Sequence, residues 1–130
     1  MSLKLSKTNI IPYNYYSIGN NLNPILAQTI LDYNNPVTYS DIITTYLVAT
    51  ENVYTGISLQ IVDEEIGINW MISFDNINWY KTINLINIDA RENDVIRMIY
   101  FRVAMLNDGT VIDGQYIQCN INIIATEIYK

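Results

Sequence analysis

Acidic side chains are the first candidates for chemistry in this sequence. Asp63-Glu64-Glu65 places three carboxylates in a row, and oxygen ligands of this kind can bind a hard cation such as Ca²⁺. The run lacks the Asp-x-Asp-x-Asp-Gly spacing of a calcium loop, and adjacent acids also suit an exposed turn. Asp108 and Asp113 could pair for acid–base catalysis, but each precedes a glycine, where aspartate often hydrogen-bonds the backbone of a turn. We therefore predict turns here and no bound metal.

The absence of histidine narrows the catalytic chemistry further. Histidine is the commonest general base and the commonest transition-metal ligand. Without it, the single cysteine, Cys119, lacks the partner that usually activates a thiol. Cys119 lies two residues from both Ile117 and Ile121, so this spacing predicts a small buried side chain in a strand. Because phosphate-binding glycine motifs are also missing, we predict a protein that is not an enzyme and holds no cofactor.

Aromatic side chains offer a different chemistry, the stacking of a sugar ring. Trp70 alternates in phase with Ile68 and Ile72, so it is predicted to be buried. Trp79 and Tyr80 are neighbours, and one of two neighbours on a strand must face outward. These two residues are therefore the candidate ligand-facing aromatics of a saccharide-binding surface.

Charge and hydropathy exclude several classes of partner. The chain has 130 residues with 7 Lys+Arg and 13 Asp+Glu, a net charge of −6. Nucleic-acid binding needs clustered basic residues, and no apolar run is long enough to span a membrane. The first seven residues also lack the apolar segment of a secretion signal, so we expect synthesis in the cytoplasm of the host cell.

From Val37 onward, apolar residues recur at every second position, as in half-buried strands. Asp75-Asn76 and Asn107-Asp108-Gly109 predict β-hairpin turns between such strands. About seven strands with frequent turns favour an all-β fold, an antiparallel immunoglobulin-like β-sandwich over residues 37–130. A β-barrel is the alternative.

Residues 1–36 lack this periodicity, and we interpret them as an irregular N-terminal arm. Residues 23–31 could form a short helix with Asn23 as the N-cap and Pro24 in the first turn, or they could be extended. The arm has no second apolar face against which to bury its own side chains, so we expect it to dock on another subunit. Donation of a strand to an open sheet edge is the expected mechanism. The predicted contact residues are Ile10, Ile11, Tyr13, Tyr15 and Tyr16.

The segment Ser73-Phe74-Asp75-Asn76-Ile77-Asn78-Trp79 resembles the Ser-x-Asp-Gly-x-x-Trp hairpin of immunoglobulin-like domains in bacteriophage virion proteins, with Asn76 where glycine is usual. The strand around Arg102 and the turn at Asn107-Asp108-Gly109 are similar to the final strands of such domains. The resemblance extends over about residues 56–127. It implies a virion surface or accessory protein and carries no catalytic residue.

These observations together predict a non-enzymatic structural protein of the virion, a capsid decoration (auxiliary head) protein. Its expected partners are other virion proteins and copies of itself, and no small-molecule ligand is expected. A tail, baseplate or neck component is one alternative, and a carbohydrate- or receptor-binding module that uses Trp79 and Tyr80 is another. If the arm is separate, deletion of residues 1–20 should leave a folded sandwich that no longer attaches.

Overall fold

The computed structural model describes residues 3–17, 23–49, 53–62, 65–85 and 95–128. These residues form nine strands in two antiparallel sheets, which confirms the prediction of an all-β antiparallel fold. No helix capable of crossing a bilayer occurs within them. In chain order the strands are β1 (Leu3–Ser6), β2 (Ile25–Gln28), β3 (Val37–Tyr39), β4 (Ile43–Ala49), β5 (Val53–Val62), β6 (Ile68–Ser73), β7 (Thr82–Leu85), β8 (Val95–Leu106) and β9 (Tyr116–Ile128).

Strand β8 is the centre of the first sheet. Its Phe101 pairs with Ile43 of β4 on one side and with Ile72 of β6 on the other. Strand β3 continues the line of β4, because it pairs with the part of β8 that β4 leaves free. Strand β1 pairs with the outer side of β4, so residues near the N-terminus belong to this sheet.

The second sheet has the strand order β2-β9-β5-β7. Strand β9 is 13 residues long, and it pairs with β2 through its first part and with β5 through the remainder. Strand β7 pairs with the other side of β5. Among the described strands, β2 and β7 therefore each have a partner on one side only.

Side chains from the two sheets share one hydrophobic core, to which every strand except β3 contributes. Tyr54 and Phe101 are the largest of the fully buried side chains. The Tyr54 hydroxyl donates to a carboxylate oxygen of Glu127 at 3.1 Å, so the one polar end of this core residue is satisfied. Burial of this apolar surface is the main contribution to the stability of the fold.

Alternation of apolar residues predicted the longer strands correctly. The alternation from Val37 onward corresponds to strands in the structure, among them β4, β5 and β6. Trp70 and Cys119 are each 5% exposed, which confirms their predicted burial. The described residues contain nine strands rather than about seven, because two short strands lie in the N-terminal segment.

The prediction of an irregular arm is wrong for these two strands. Leu3 and Leu5 of β1 are buried beside β4, and Ile25 of β2 is buried beside β9. The short helix is also absent, because Ile25 and Ala27 alternate toward the core as strand residues do. Part of the leading segment thus buries its apolar side chains within its own subunit. Deletion of residues 1–20 would remove β1 from the core, so we now expect the truncated chain to be destabilised rather than to remain an intact sandwich.

The two predicted hairpins also differ from the structure. In the described residues, the chain that follows the Asp75-Asn76 turn pairs with β6 only through an isolated bridge between Tyr80 and Ile72. Strand β7 then pairs with β5 of the other sheet. Residues 107–115 likewise carry the chain from β8 in the first sheet to β9 in the second. The turn signals were correct locally, but the apolar face of the next strand determines which sheet that strand joins.

Candidate interaction surface

A short loop projects from the end of β1. The N–H of Lys7 donates to the carbonyl oxygen of Asn14 at 2.7 Å, and the N–H of Tyr16 donates to the carbonyl oxygen of Leu5 at 2.8 Å. These bonds fix the base of a loop formed by residues 8–13, which we call the tip loop. They also cover part of the free side of β1 with the chain that returns from the loop.

Apolar side chains are displayed at the end of the tip loop. Ile10 and Ile11 are 69% and 73% exposed. Beside them the Tyr13 and Tyr15 rings lie 5.9 Å apart at an interplanar angle of 38°. The Lys4 ammonium lies 5.1 Å from the centroid of the Tyr15 ring. Burial, and secondarily the neighbouring Tyr13, raises the pKa of Tyr15 above its usual value.

Tyr16 has a different environment from the other predicted contact residues. Its ring is half-buried and packs against the protein's own core, and burial raises the pKa of its hydroxyl. The Lys7 ammonium lies 5.1 Å from the ring centroid. The structure therefore places all five predicted arm residues on and beside the tip loop, with Ile10 and Ile11 the most open to a partner.

The turn that follows β6 is built by the serine and the aspartate of the Ser-x-Asp pattern. The Ser73 hydroxyl donates to the Asp75 carboxylate at 2.9 Å and accepts the N–H of Asn76 at 2.9 Å. The same carboxylate accepts the N–H groups of Asn78 and Ile77, both at 2.9 Å. These backbone bonds stabilise the charged form and hold the pKa of Asp75 well below its usual range. Asn76 adopts a left-handed φ of 59°, which glycine or asparagine tolerates best.

This turn positions Trp79 beside an arginine of the central strand. The guanidinium carbon of Arg102 lies 4.4 Å from the centroid of the Trp79 ring and 4.4 Å from that of Tyr39. We call these three residues the Arg102 clamp. Tyr39 pairs with Ala104, and Ile43 pairs with Phe101. This register leaves two residues, Asp41 and Ile42, opposite Arg102, so the clamp lies at a β-bulge.

The two candidate ligand-facing aromatics, Trp79 and Tyr80, differ in how accessible their rings are. Trp79 is half-buried and already carries the guanidinium of Arg102 over its ring. Tyr80 is 48% exposed, and its backbone forms both hydrogen bonds of the bridge to Ile72. The structure therefore does not arrange Trp79 as an open stacking surface, whereas the Tyr80 ring is accessible.

A groove of about 490 Å³ runs between the two sheets. Ala27, Ile43 and Met105 give it apolar walls, and Asp41 adds a carboxylate. Tyr39 lines the groove as well as contacting Arg102, so the groove and the clamp share one residue.

Two of the strands that border this groove, β2 and β3, have outer edges that no described strand pairs with. The N–H of Thr29 donates to the Gln115 carbonyl at 2.7 Å, so the backbone groups of Thr29 face β9. Because successive residues of an antiparallel strand direct these groups to opposite sides, those of Leu26, three residues earlier, point away from β9. The N–H of Ser40 donates to the Val103 carbonyl at 2.9 Å, so Tyr39 similarly directs its backbone groups away from β8. None of the strands described here pairs with either edge.

The two aspartates considered for catalysis accept backbone hydrogen bonds, Asp108 within its own turn and Asp113 from the distant segment that follows β2. Asp108 accepts the N–H of Thr110 at 3.0 Å, and Asp113 accepts the N–H of Leu31 at 2.9 Å. Hydrogen bonds from Thr110 hold the pKa of Asp108 below its usual value. Within the described segments, no group of three potential metal ligands is present. Asp63 and Glu64 lie outside these segments.

Sequence reasoning missed the Arg102 clamp. Arg102 and Tyr39 belong to strands that are far apart in the chain, and their contact follows from the β3–β8 pairing. One signal was available: an arginine occupies a strand position whose alternate neighbours, Tyr100 and Ala104, are not charged.

No family model, no curated protein and no solved structure matches this chain.

Proposed function

We propose that this protein is a non-enzymatic structural component of a bacteriophage virion, a capsid decoration protein with an immunoglobulin-like β-sandwich. It attaches to neighbouring virion subunits through its tip loop and its open sheet edges. Two antiparallel sheets around a shared core, with connections at residues 74–81 and 107–115 that cross between sheets, support the sandwich. The sequence resemblance over residues 73–79 supports the virion setting.

The exposure of Ile10 and Ile11 is the observation that carries this proposal. Two adjacent isoleucines at the end of a loop contribute nothing to the core of their own subunit. Exposed apolar surface of this kind is typical of contact sites. The base of the loop is already fixed by backbone hydrogen bonds, so little conformational freedom is lost when a partner covers its tip.

The unpaired edges of β2 and β3 support a second mode of attachment. An extended segment from a neighbouring subunit can pair with such an edge through backbone hydrogen bonds. The groove between the two edges provides apolar walls for alternate side chains of that segment. Exposed edges with no covering strand invite this type of pairing.

A tail, baseplate or neck component would use the same contacts, and particle imaging separates these locations from the head. A saccharide-binding module has less support from the site, because Arg102 lies over one of the two rings that it would need. Of those two rings, that of Tyr80 remains open for stacking.

The proposal is tested with substitutions that leave β1 intact. The double variant Ile10→Asp/Ile11→Asp should fold with an unchanged Tm, because both side chains are exposed. We expect to find the wild-type protein in purified phage particles, where antibody labelling in electron micrographs would locate it. Particles made with the double variant should contain at least about tenfold less of this protein.

Ile77→Asp is the matched control, because Ile77 is 78% exposed but lies in the turn after β6. This variant should be incorporated like the wild type. Absence of the wild-type protein from particles, or equal incorporation of the double variant, would overturn the proposal.

A further inference from the structure

Arg102 has no carboxylate partner among the described residues, although the chain is strongly acidic. The protein has 13 Asp+Glu and a net charge of −6. Across the described residues, however, the Arg102 side chain makes no ion pair and no hydrogen bond, and its guanidinium lies over the Tyr39 and Trp79 rings. Even Asp41, which lies in the bulge opposite Arg102, forms no ion pair with it.

The hydrogen-bond donors of this guanidinium divide into a buried group and an open group. The Nε atom is buried and has no hydrogen-bond partner. Within the described part of the chain, the two Nη groups also have no hydrogen-bond partner, and they are not fully buried. Two Nη groups of one guanidinium present parallel N–H donors that match the two oxygens of a carboxylate.

We propose that the Arg102 clamp is a carboxylate-binding site, occupied by an aspartate or glutamate side chain of a partner protein. The Tyr39 and Trp79 rings hold the guanidinium in place, so its binding loses little side-chain entropy. Met71 pairs with Arg102 on the adjacent strand, and Ala104 follows it on the same face, so apolar side chains lie beside the guanidinium. An apolar environment strengthens a charge-assisted hydrogen bond once a partner excludes water.

The residue types of the clamp favour a protein as the source of the carboxylate. Tyrosine, tryptophan and arginine are the residues most enriched at the energetic centres of protein interfaces. An acidic saccharide would stack its ring on an open aromatic face, but the guanidinium already lies over both clamp rings. The site itself rests on the geometry of Arg102, whereas the choice of a protein ligand rests on the proposed function.

The test is a titration of the full-length protein followed through its arginine Nε–H resonances in ¹H–¹⁵N spectra. The probe is N-acetyl-glutamic acid amide at pH 7, whose side-chain carboxylate is charged. N-acetyl-glutamine amide is the neutral control, and glucuronate is the acidic saccharide. We expect a saturable shift of the Arg102 resonance with the glutamic acid probe and at least about tenfold weaker binding of both other compounds.

Arg97 provides an internal control, because its guanidinium carbon lies 5.1 Å from a single ring, that of Phe74. Its resonance should not shift in the same spectra. Arg102→Lys keeps the charge but loses the paired donors, so it should weaken binding at least about tenfold, whereas Arg97→Lys should not. If Arg102→Lys does not fold, the wild-type spectra still decide the question.

Three outcomes would overturn the inference: equal response to the glutamine and glutamic acid probes, equal shifts at Arg97 and Arg102, or tighter binding of glucuronate. The last would identify a saccharide as the ligand. Because the titration uses no virion particle, its failure would leave the Ile10/Ile11 attachment test unaffected.

Discussion

The carboxylate of Asp75 accepts a hydrogen bond from the backbone N–H of Asn78, three residues later, at 2.9 Å. A second oxygen of the same carboxylate accepts the Asn78 side-chain amide at 3.0 Å. This double attachment closes the turn after β6 and thereby determines where Trp79 meets Arg102. A single charged group thus connects the local conformation of a turn to the geometry of the Arg102 clamp.

Replacement of Asp75 by alanine should lower the Tm, most strongly above pH 5. The pKa of Asp75 is lower in the folded protein than in the unfolded chain, because the fold stabilises its charged form. The stabilisation is therefore complete above the unfolded pKa of about 4 and is lost as the pH falls below it. Thermal unfolding of wild type and Asp75→Ala between pH 7 and pH 2 should show the two Tm values converging at low pH.

Asp41→Ala is a suitable comparison for this experiment, because no described hydrogen bond reaches the Asp41 carboxylate. At pH 7, Asp41→Ala should therefore lower the Tm less than Asp75→Ala does. A constant gap for Asp75→Ala across the pH range would contradict the role assigned to its carboxylate.

Truncation of a leucine near the N-terminus should destabilise the whole domain. Leu5 of β1 is fully buried between the sheets, so Leu5→Ala should lower the free energy of unfolding by about 2–5 kcal/mol. Ile10→Ala, five residues later on the tip loop, should change it by less than about 0.5 kcal/mol. Urea denaturation measures both values, and equal effects would show that β1 is not part of the core.

Gly67 should tolerate alanine less well than Gly109 does. Both residues have a left-handed φ, 81° and 90°, so alanine at either position should cost about 1–2 kcal/mol in backbone strain. At Gly67 an added Cβ would also lie 2.5 Å from the Thr110 hydroxyl oxygen, whereas at Gly109 it would meet no atom within 4 Å. We expect a distinctly lower Tm for Gly67→Ala, and similar Tm values for the two variants would rule out the steric contribution.

The single thiol should be inert in the folded protein. Burial raises the pKa of Cys119 to about 12, partly offset by the positive charge of Lys81. The reactive thiolate is then scarce at pH 8, and the side chain is also inaccessible to reagents. Labelling with a disulfide reagent should be at least about a hundredfold slower in buffer than in guanidinium chloride. Comparable rates in the two solutions would place Cys119 outside the core.

Alternation of apolar residues was sufficient to predict the long strands, because each of them buries one face against the other sheet. It failed for β1 and β2, which have four residues each and pair with strands far away in the sequence. Asn23 and Pro24 are typical of the start of a helix, but the residues that follow are extended because they pair with β9. Short strands of this kind are specified by their partners more than by their own pattern.

The candidate site was predictable only in part for the same reason. The sequence indicated exposed apolar residues near Ile10 and an outward aromatic near Trp79. The contact of Trp79 and Tyr39 with Arg102 requires the register of three separate segments, and no local pattern contains that register. The groove between β2 and β3 likewise arises from the arrangement of two sheets.

The pairing of β2 with β9 also has a consequence for biosynthesis. Strand β2 emerges from the ribosome early, but its partner is the last of the nine strands to be made. The first sheet can begin to assemble as soon as β4 and β8 are available, whereas Ile25 must wait, unshielded, for the final segment of translation. Slow elongation, or the absence of β9, would therefore leave β2 of the nascent chain unpaired and open to aggregation. Chaperones that hold unfolded chains would then act chiefly on incomplete chains that already contain β2.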